Sequence, residues 1–153
     1  MKAIICADAQ SWGIGANNQL LYRSKEDMQY FRSLTLNQAV LMGSNTYFSI
    51  GHPLEKRINI VLTRKEIPNV HIIKHVEEAQ NFFPKSDIWL IGGGQMYESY
   101  IDLCETAYVT KIKTNKKADT FCPNLDKMGW KIISNKKMQT EDGEFLIYKN
   151  PRI

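Results

Sequence analysis

Four runs of this chain are apolar almost throughout: AIICADA (3–9), AVLMG (39–43), RINIVLT (57–63) and DIWLIGGG (87–94). Each is too short for a buried helix and has the length of a strand. Segments with helical character lie between them: residues 25–35, a stretch opening near Ser44 or Asn45, and residues 76–82, with QMYESYI (95–101) after the last run. Further strands read at HIIK (71–74) and ETAYVTKIK (105–113), with a possible pairing near 50–54. WKIISNKKM (130–138) and EFLIYKN (144–150), separated by QTEDG, read as a closing antiparallel hairpin. Strands that alternate with helices predict an α/β fold with a mainly parallel central sheet, flanked by about four helices. The hairpin adds an antiparallel edge. The 1–153 chain reads as a single domain, without repeat or linker.

Other classes are disfavoured. The net charge of +4 is spread along the chain, which suits a small anionic ligand better than nucleic acid. No apolar run reaches membrane-spanning length, and Asp8 interrupts the only leader-like stretch. Cys6, Cys104 and Cys122 read as reduced thiols of a cytoplasmic protein. His52, His71 and His75 lack the spacing of metal ligands, so no metal site is expected. A monomer is the default.

Parallel sheets bind ligands beyond the carboxyl ends of their strands, and chemistry-bearing residues gather there. Gly43 precedes Ser44-Asn45-Thr46 at a helix start, Thr63-Arg64-Lys65 follow one strand, and Gly92-Gly93-Gly94 end another. IGGGQMYES is neither a Walker loop nor a dinucleotide fingerprint. It brings backbone N–H groups to a position that phosphates could approach, or else is only a tight turn. WGIGANNQLLY (12–22) reads as a lid loop or an ordinary surface connection. Arg57 could hold a carboxylate in a two-pronged contact, or be a charge at a strand edge.

The segment SKEDMQYFRSL (24–34) carries one residue out of place. Ser24 suits a helix N-cap and Asp27 the acid of a capping box. At about 100° per residue, however, Leu34 falls roughly 20° from Asp27, Phe31 about 40°, Tyr30 about 60° and Met28 about 100°. Lys25, Glu26, Gln29, Arg32 and Ser33 take the other side. The carboxylate is thus aimed into the apolar arc.

Taken in order, these pieces resemble the dihydrofolate reductase family over essentially the whole chain. The resemblance rests on the first strand ending in Ala7, Ile14-Gly15 with Asn18, Asp27 with Phe31, and Met42-Gly43 with Thr46. It continues through SIGHPLEKRINIVLTR (49–64), IGGGQMY (91–97), YVTKI (108–112) and DTFCP (119–123). It implies NADPH-dependent reduction of 7,8-dihydrofolate to tetrahydrofolate, and a site open to antifolate-type inhibitors. It assigns Asp27, Tyr22 and Thr110 to catalysis, with Asp27 on the pterin edge and Thr110 supporting it. Substrate would meet Ile5, Cys6, Met28, Phe31, Ile50, Leu54, Ile91 and Tyr97 as well, and Arg57 would hold the glutamate α-carboxylate. Cofactor would be bordered by Ala7, Ile14, Gly15, Asn18, Gln19 and Leu20. Its phosphates and adenosine would lie along Gly43, Ser44, Asn45, Thr46, Leu62, Thr63, Arg64, Lys65 and Lys74. Ile91, Gly92, Gly93, Gly94, Gln95, Met96 and Tyr97 complete that set. Gly92-Gly93 would carry the family's cis peptide, and Asp119 would fix the lid loop.

Three positions depart from the family pattern. Leu21-Tyr22 stands where many bacterial relatives have Pro-Trp. Ser44-Asn45 replaces a pair of cations before Thr46, leaving Arg64 and Lys65 to face a 2′-phosphate. His52 replaces an Arg near the glutamate tail. Two rivals share the fold: a reductase of a phosphorylated pyrimidine in riboflavin synthesis, and a non-catalytic nucleotide- or RNA-binding protein. Asp27, Phe31 and Arg57, which suit a pterin with a carboxylate tail, argue against the first; the altered Leu21-Tyr22 and Ser44-Asn45 pairs are what keep the second open.

Overall fold

The apolar runs become the middle of one large sheet. The computed structural model describes residues 1–153, the side chain of Ser86 apart. In chain order the elements are β1 (Lys2–Asp8), β2 (Gly13–Ala16), β3 (Gln19–Leu20), α1 (Lys25–Thr35), β4 (Ala39–Gly43), α2 (Ser44–Ile50) and β5 (Ile58–Leu62). There follow β6 (His71–Ile73), β7 (Ile88–Gly92), α3 (Gly94–Tyr100), β8 (Thr106–Ile112), β9 (Thr120–Phe121), β10 (Lys131–Lys137) and β11 (Gly143–Lys149). The large sheet has the order β10-β11-β8-β1-β7-β4-β5-β6. Only β11 runs against the others, because it pairs antiparallel with both β8 and β10. No described helix is long and apolar enough to cross a membrane.

Side chains of successive strand residues point to opposite faces, and both faces of this sheet are buried. Ile4, Val40, Met42, Val61 and Trp89 pack on one face, where Phe31 and Leu34 of α1 cover them together with Ile50, Leu54 and Ile91. Their neighbours Ile5, Leu41, Ile60 and Leu90 pack on the other, with Met96 and Tyr97 of α3. The helices end where local chemistry ends them. Ser24 Oγ accepts the Asp27 N–H at 3.1 Å and starts α1. Gly51 closes α2 at φ 89°, the left-handed region glycine enters without strain.

Three local expectations change. The 76–82 helix is a 3₁₀ segment, Val76–Asn81, capped by Glu78 Oε1 accepting the His75 N–H at 2.9 Å. Residues 51–54 form no strand; α2 runs to Ile50 and a loop follows. The 12–22 stretch is a hairpin, β2–β3, that joins β9 in a second sheet of order β3-β2-β9. Asn17 and Asn18 form its tip with φ of 54° and 61°, which a two-residue hairpin demands and asparagine tolerates.

Candidate active site

α1 lays its apolar face on β1 and β8, and this brings Asp27 to two polar side chains. Cys6 and Thr110 are paired neighbours on those parallel strands. Burial pushes the Asp27 carboxyl above its ordinary value, while Thr110 and Cys6 pull it back down. The Thr110 hydroxyl oxygen is nevertheless buried without a hydrogen-bond partner. Its influence on Asp27 is therefore that of a nearby dipole, not of a closed bond. The Cys6 thiol is pushed well up, by burial first and by Asp27 second. Among the described residues no bond returns from the Ser24 N–H to the Asp27 carboxylate. Ser24 caps the helix; Asp27 uses only its backbone in the cap.

The apolar residues expected beside Asp27 divide between two surfaces. Phe31, Ile50, Leu54 and Ile91 share one cluster on the α1 face. Met28 stands at its rim, 54% exposed. Ile5 and Ala7 pack into the opposite core, and Tyr97 is buried there with its hydroxyl donating to Ile4 O at 2.6 Å.

Arg57 sits one residue before β5. Its Nη1 donates to Thr35 Oγ1 at 3.1 Å and its Nε to Glu55 O at 2.8 Å. Its Cζ lies 6.0 Å from the Phe31 ring centre. Burial, followed by the nearby Arg32, lowers its pKa. Among the described residues it has no carboxylate partner. Asn59 fixes the loop that carries it, bonding Leu54 N and O at 2.9 Å each and Arg57 O at 3.0 Å. Thr35 and Asn59 were not marked by the sequence reading. An Asn inside INIVL was the available signal; Thr35 gave none.

The second group of candidates lines one edge. β7, β4, β5 and β6 are consecutive in the sheet and mutually parallel. Their carboxyl ends therefore set Gly92-Gly93-Gly94, then Gly43-Ser44-Asn45-Thr46, then Thr63-Arg64-Lys65, then Lys74 side by side. Leu62 opposes Gly43 in register. The Gly92–Gly93 peptide is cis. A Cβ on Gly93 would lie 3.1 Å from Thr46 Oγ1, so the starts of α2 and α3 meet closely. A Cβ on Gly94 would meet Thr120 Cγ2 at 2.8 Å and Phe121 O at 2.9 Å; this glycine serves packing against β9. Gln95 is exposed on α3 and Met96 buried.

The β2–β3 hairpin runs beside this edge. Asp119 Oδ2 accepts the Asn17 N–H at 2.9 Å, and the Asp119 N–H donates to Gly15 O at 2.9 Å. Ser49 Oγ donates to Asn18 O at 2.9 Å. Ile14 is half-buried against the core, while Gln19 and Leu20 face solvent.

A mainly parallel sheet with a glycine-lined carboxyl edge and a half-buried acid beside it defines an α/β protein of the ligand-binding, open-sheet class. Residues 1–150 match the family model described as dihydrofolate reductase. A protein of that name from Haemophilus influenzae is 38% identical over 133 residues, covering 85% of this chain and 83% of its own. One from Buchnera aphidicola is 32% identical over 155 residues, covering 96% and 94%. One from Bacillus subtilis is 29% identical over 145 residues, covering 89% and 86%. The chain belongs to the dihydrofolate reductase family.

Proposed function

We propose that this chain, as one domain, reduces 7,8-dihydrofolate to tetrahydrofolate with NADPH. The observation that carries the reading is the pairing of Asp27, raised by burial, with the partnerless hydroxyl of Thr110. A half-buried acid and an orphaned acceptor together suit a flat ligand rich in N–H donors. The pterin edge, with its 2-amino group and N3, is such a ligand. Asp27 would hold that edge by two hydrogen bonds, Thr110 would take a further donor, and Phe31, Ile50 and Leu54 would cover the ring system. Arg57 would hold the glutamate carboxylate.

The glycine edge supports a nucleotide partner. Gly43, Gly92 and Gly93 end adjacent strands without side chains, and the cations Arg64, Lys65 and Lys74 stand farther along the same edge. Gly92 to Gly94 and Asn45-Thr46 would hold the diphosphate, and Arg64 the 2′-phosphate. When bound, the reduced nicotinamide supplies the hydride that pterin C6 receives. N5 must gain a proton in the same reaction. A charged Asp27 raises the basicity of the ring it binds, and the proton reaches N5 through water admitted beside the β2–β3 hairpin.

The deciding experiment follows nicotinamide absorbance with purified protein, dihydrofolate and either NADPH or NADH. Dihydrofolate-dependent oxidation is expected; its absence with both cofactors removes the reading. Arg64→Ala is expected to weaken NADPH roughly tenfold and NADH much less, since a guanidinium on phosphate makes charge-assisted hydrogen bonds. Titration of intrinsic fluorescence measures both constants. Equal losses would take Arg64 out of the 2′-phosphate contact.

A further inference from the structure

The turn of the C-terminal hairpin reaches back to the site. Glu26, adjacent to Asp27 in sequence, gives its carboxylate to this turn. It accepts the Gln139 N–H at 2.9 and 3.0 Å, the Thr140 N–H at 2.8 Å and the Thr140 hydroxyl at 2.8 Å. These donors hold the Glu26 carboxyl below its ordinary value. One residue on, Glu141 Oε1 accepts a hydrogen bond from the Tyr22 hydroxyl at 2.9 Å. Residues 139–141 are thus tied both to the first turn of α1 and to the end of the β2–β3 hairpin.

Tyr22 is also a wall of a small cavity of about 10 Å³, which it lines with Cys6, Asp8 and Thr114 among others. That is the space of about one water, and its walls mix these polar side chains with Ala7, Leu21 and Ile112. Cys6, which lines the cavity, also acts on the Asp27 carboxyl. The Glu141 charge is felt at Cys6. Lys116 Nζ stands 5.4 Å from the Tyr22 ring centre, and Lys136 acts on Glu26.

We propose that Glu141 is a positioning residue for the reduction: it fixes Tyr22 as a wall of the water-sized cavity that Cys6, the neighbour of Asp27, also lines. This rests on the function proposed above. In that reaction the substrate gains a hydride at C6 and a proton at N5, and the cavity offers room for one water of the kind that could bring the proton. Four bonds from Glu26 hold the turn, so Glu141 approaches Tyr22 from a fixed base.

The test is single-turnover hydride transfer, measured from acidic to mildly alkaline pH, in Glu141→Ala, Glu141→Gln, Tyr22→Phe and the Glu141→Ala/Tyr22→Phe pair. Melting temperatures are read alongside. Glu141→Ala and Tyr22→Phe should each slow transfer roughly tenfold at neutral pH and displace the pH midpoint in the same sense, because a misplaced wall disturbs the reacting geometry. The KM for dihydrofolate should stay within about twofold. The double variant should be no slower than the worse single one, since both remove one bond. Glu141→Gln keeps an acceptor for the hydroxyl and should restore the rate. If the unaltered protein does not reduce dihydrofolate, the underlying function fails and this role with it. If it does, three outcomes overturn Glu141 alone: unchanged rate and pH profile in Glu141→Ala, losses that multiply in the double variant, or a Glu141→Gln variant as slow as Glu141→Ala.

Discussion

Asp27→Asn lowers kcat/KM for dihydrofolate by about 10²- to 10³-fold at neutral pH and makes the folded protein more stable. Both effects have one cause. Burial raises the Asp27 carboxyl above its ordinary value more than Thr110 and Cys6 lower it. The folded chain therefore binds this proton more tightly than the unfolded chain does. The resulting stability is fully present below the unfolded carboxylate pKa and is lost as pH rises through the raised folded value. At neutral pH the ionised acid opposes folding. Asparagine has the same shape and no charge, so Tm should rise by about 2–5 °C. Turnover moves the other way. The amide offers one acceptor and one donor where the pterin edge presents two donors, and the charge that raises ring basicity is gone. The residual rate should climb as pH falls, because substrate protonated in solution then replaces what Asp27 supplied. Thermal unfolding by circular dichroism and kcat/KM across pH check both halves. Near-normal turnover with unchanged Tm would remove Asp27 from the substrate contact.

Asp27 was legible because it breaks a local rule: a charge at the centre of an apolar arc conflicts with burial and demands a partner. The strands of the large sheet were legible for the opposite reason. Runs such as AVLMG are apolar on both faces, and only a strand buried on both sides needs that. β2, β3 and β9 carry no such signal. They are two to four residues long, with Gly13 and Gly15 in place of β-branched residues, and the hairpin's partner Asp119 lies 102 residues from Asn17. Residues 76–81 carry the acids of a helix start but stop after about two turns of 3₁₀ structure. Thr35, Asn59 and Glu141 show the same limit in the site. Each is an ordinary polar residue whose meaning is its partner, and the partners are set by the fold: Arg57 for Thr35, 22 residues away, and Tyr22 for Glu141, 119 away. Ile5 belongs here too. Its place within the first strand was readable, but the face it packs on depends on which layer α3 covers.

Arg57→Ala raises the KM for dihydrofolate roughly 10²-fold and changes kcat by less than about threefold, because charge-assisted hydrogen bonds of this kind contribute about 1.5–3 kcal/mol and act equally on ground and transition states. The guanidinium is already oriented. Thr35 Oγ1 and Glu55 O take Nη1 and Nε, and Asn59 pins the loop beneath it. That leaves its remaining N–H groups for a ligand without the usual ordering cost of a long side chain. Its electrostatics point the same way. Arg32 stands close enough to disfavour its charge, and the Glu55 carboxylate offsets this only in part, with no described ion pair to Arg57. Two cations with no carboxylate in direct contact form an arrangement that an incoming carboxylate relieves. Arg57→Lys should recover only part of the loss, since an ammonium is a point charge and cannot make the two-pronged contact. A pterin substrate lacking the glutamate separates this role from a structural one. Its KM should be the same for the Arg57→Ala variant and the unaltered protein. If it rises by the same factor as for dihydrofolate, Arg57 acts by holding the Leu54–Arg57 loop and not by holding the substrate tail.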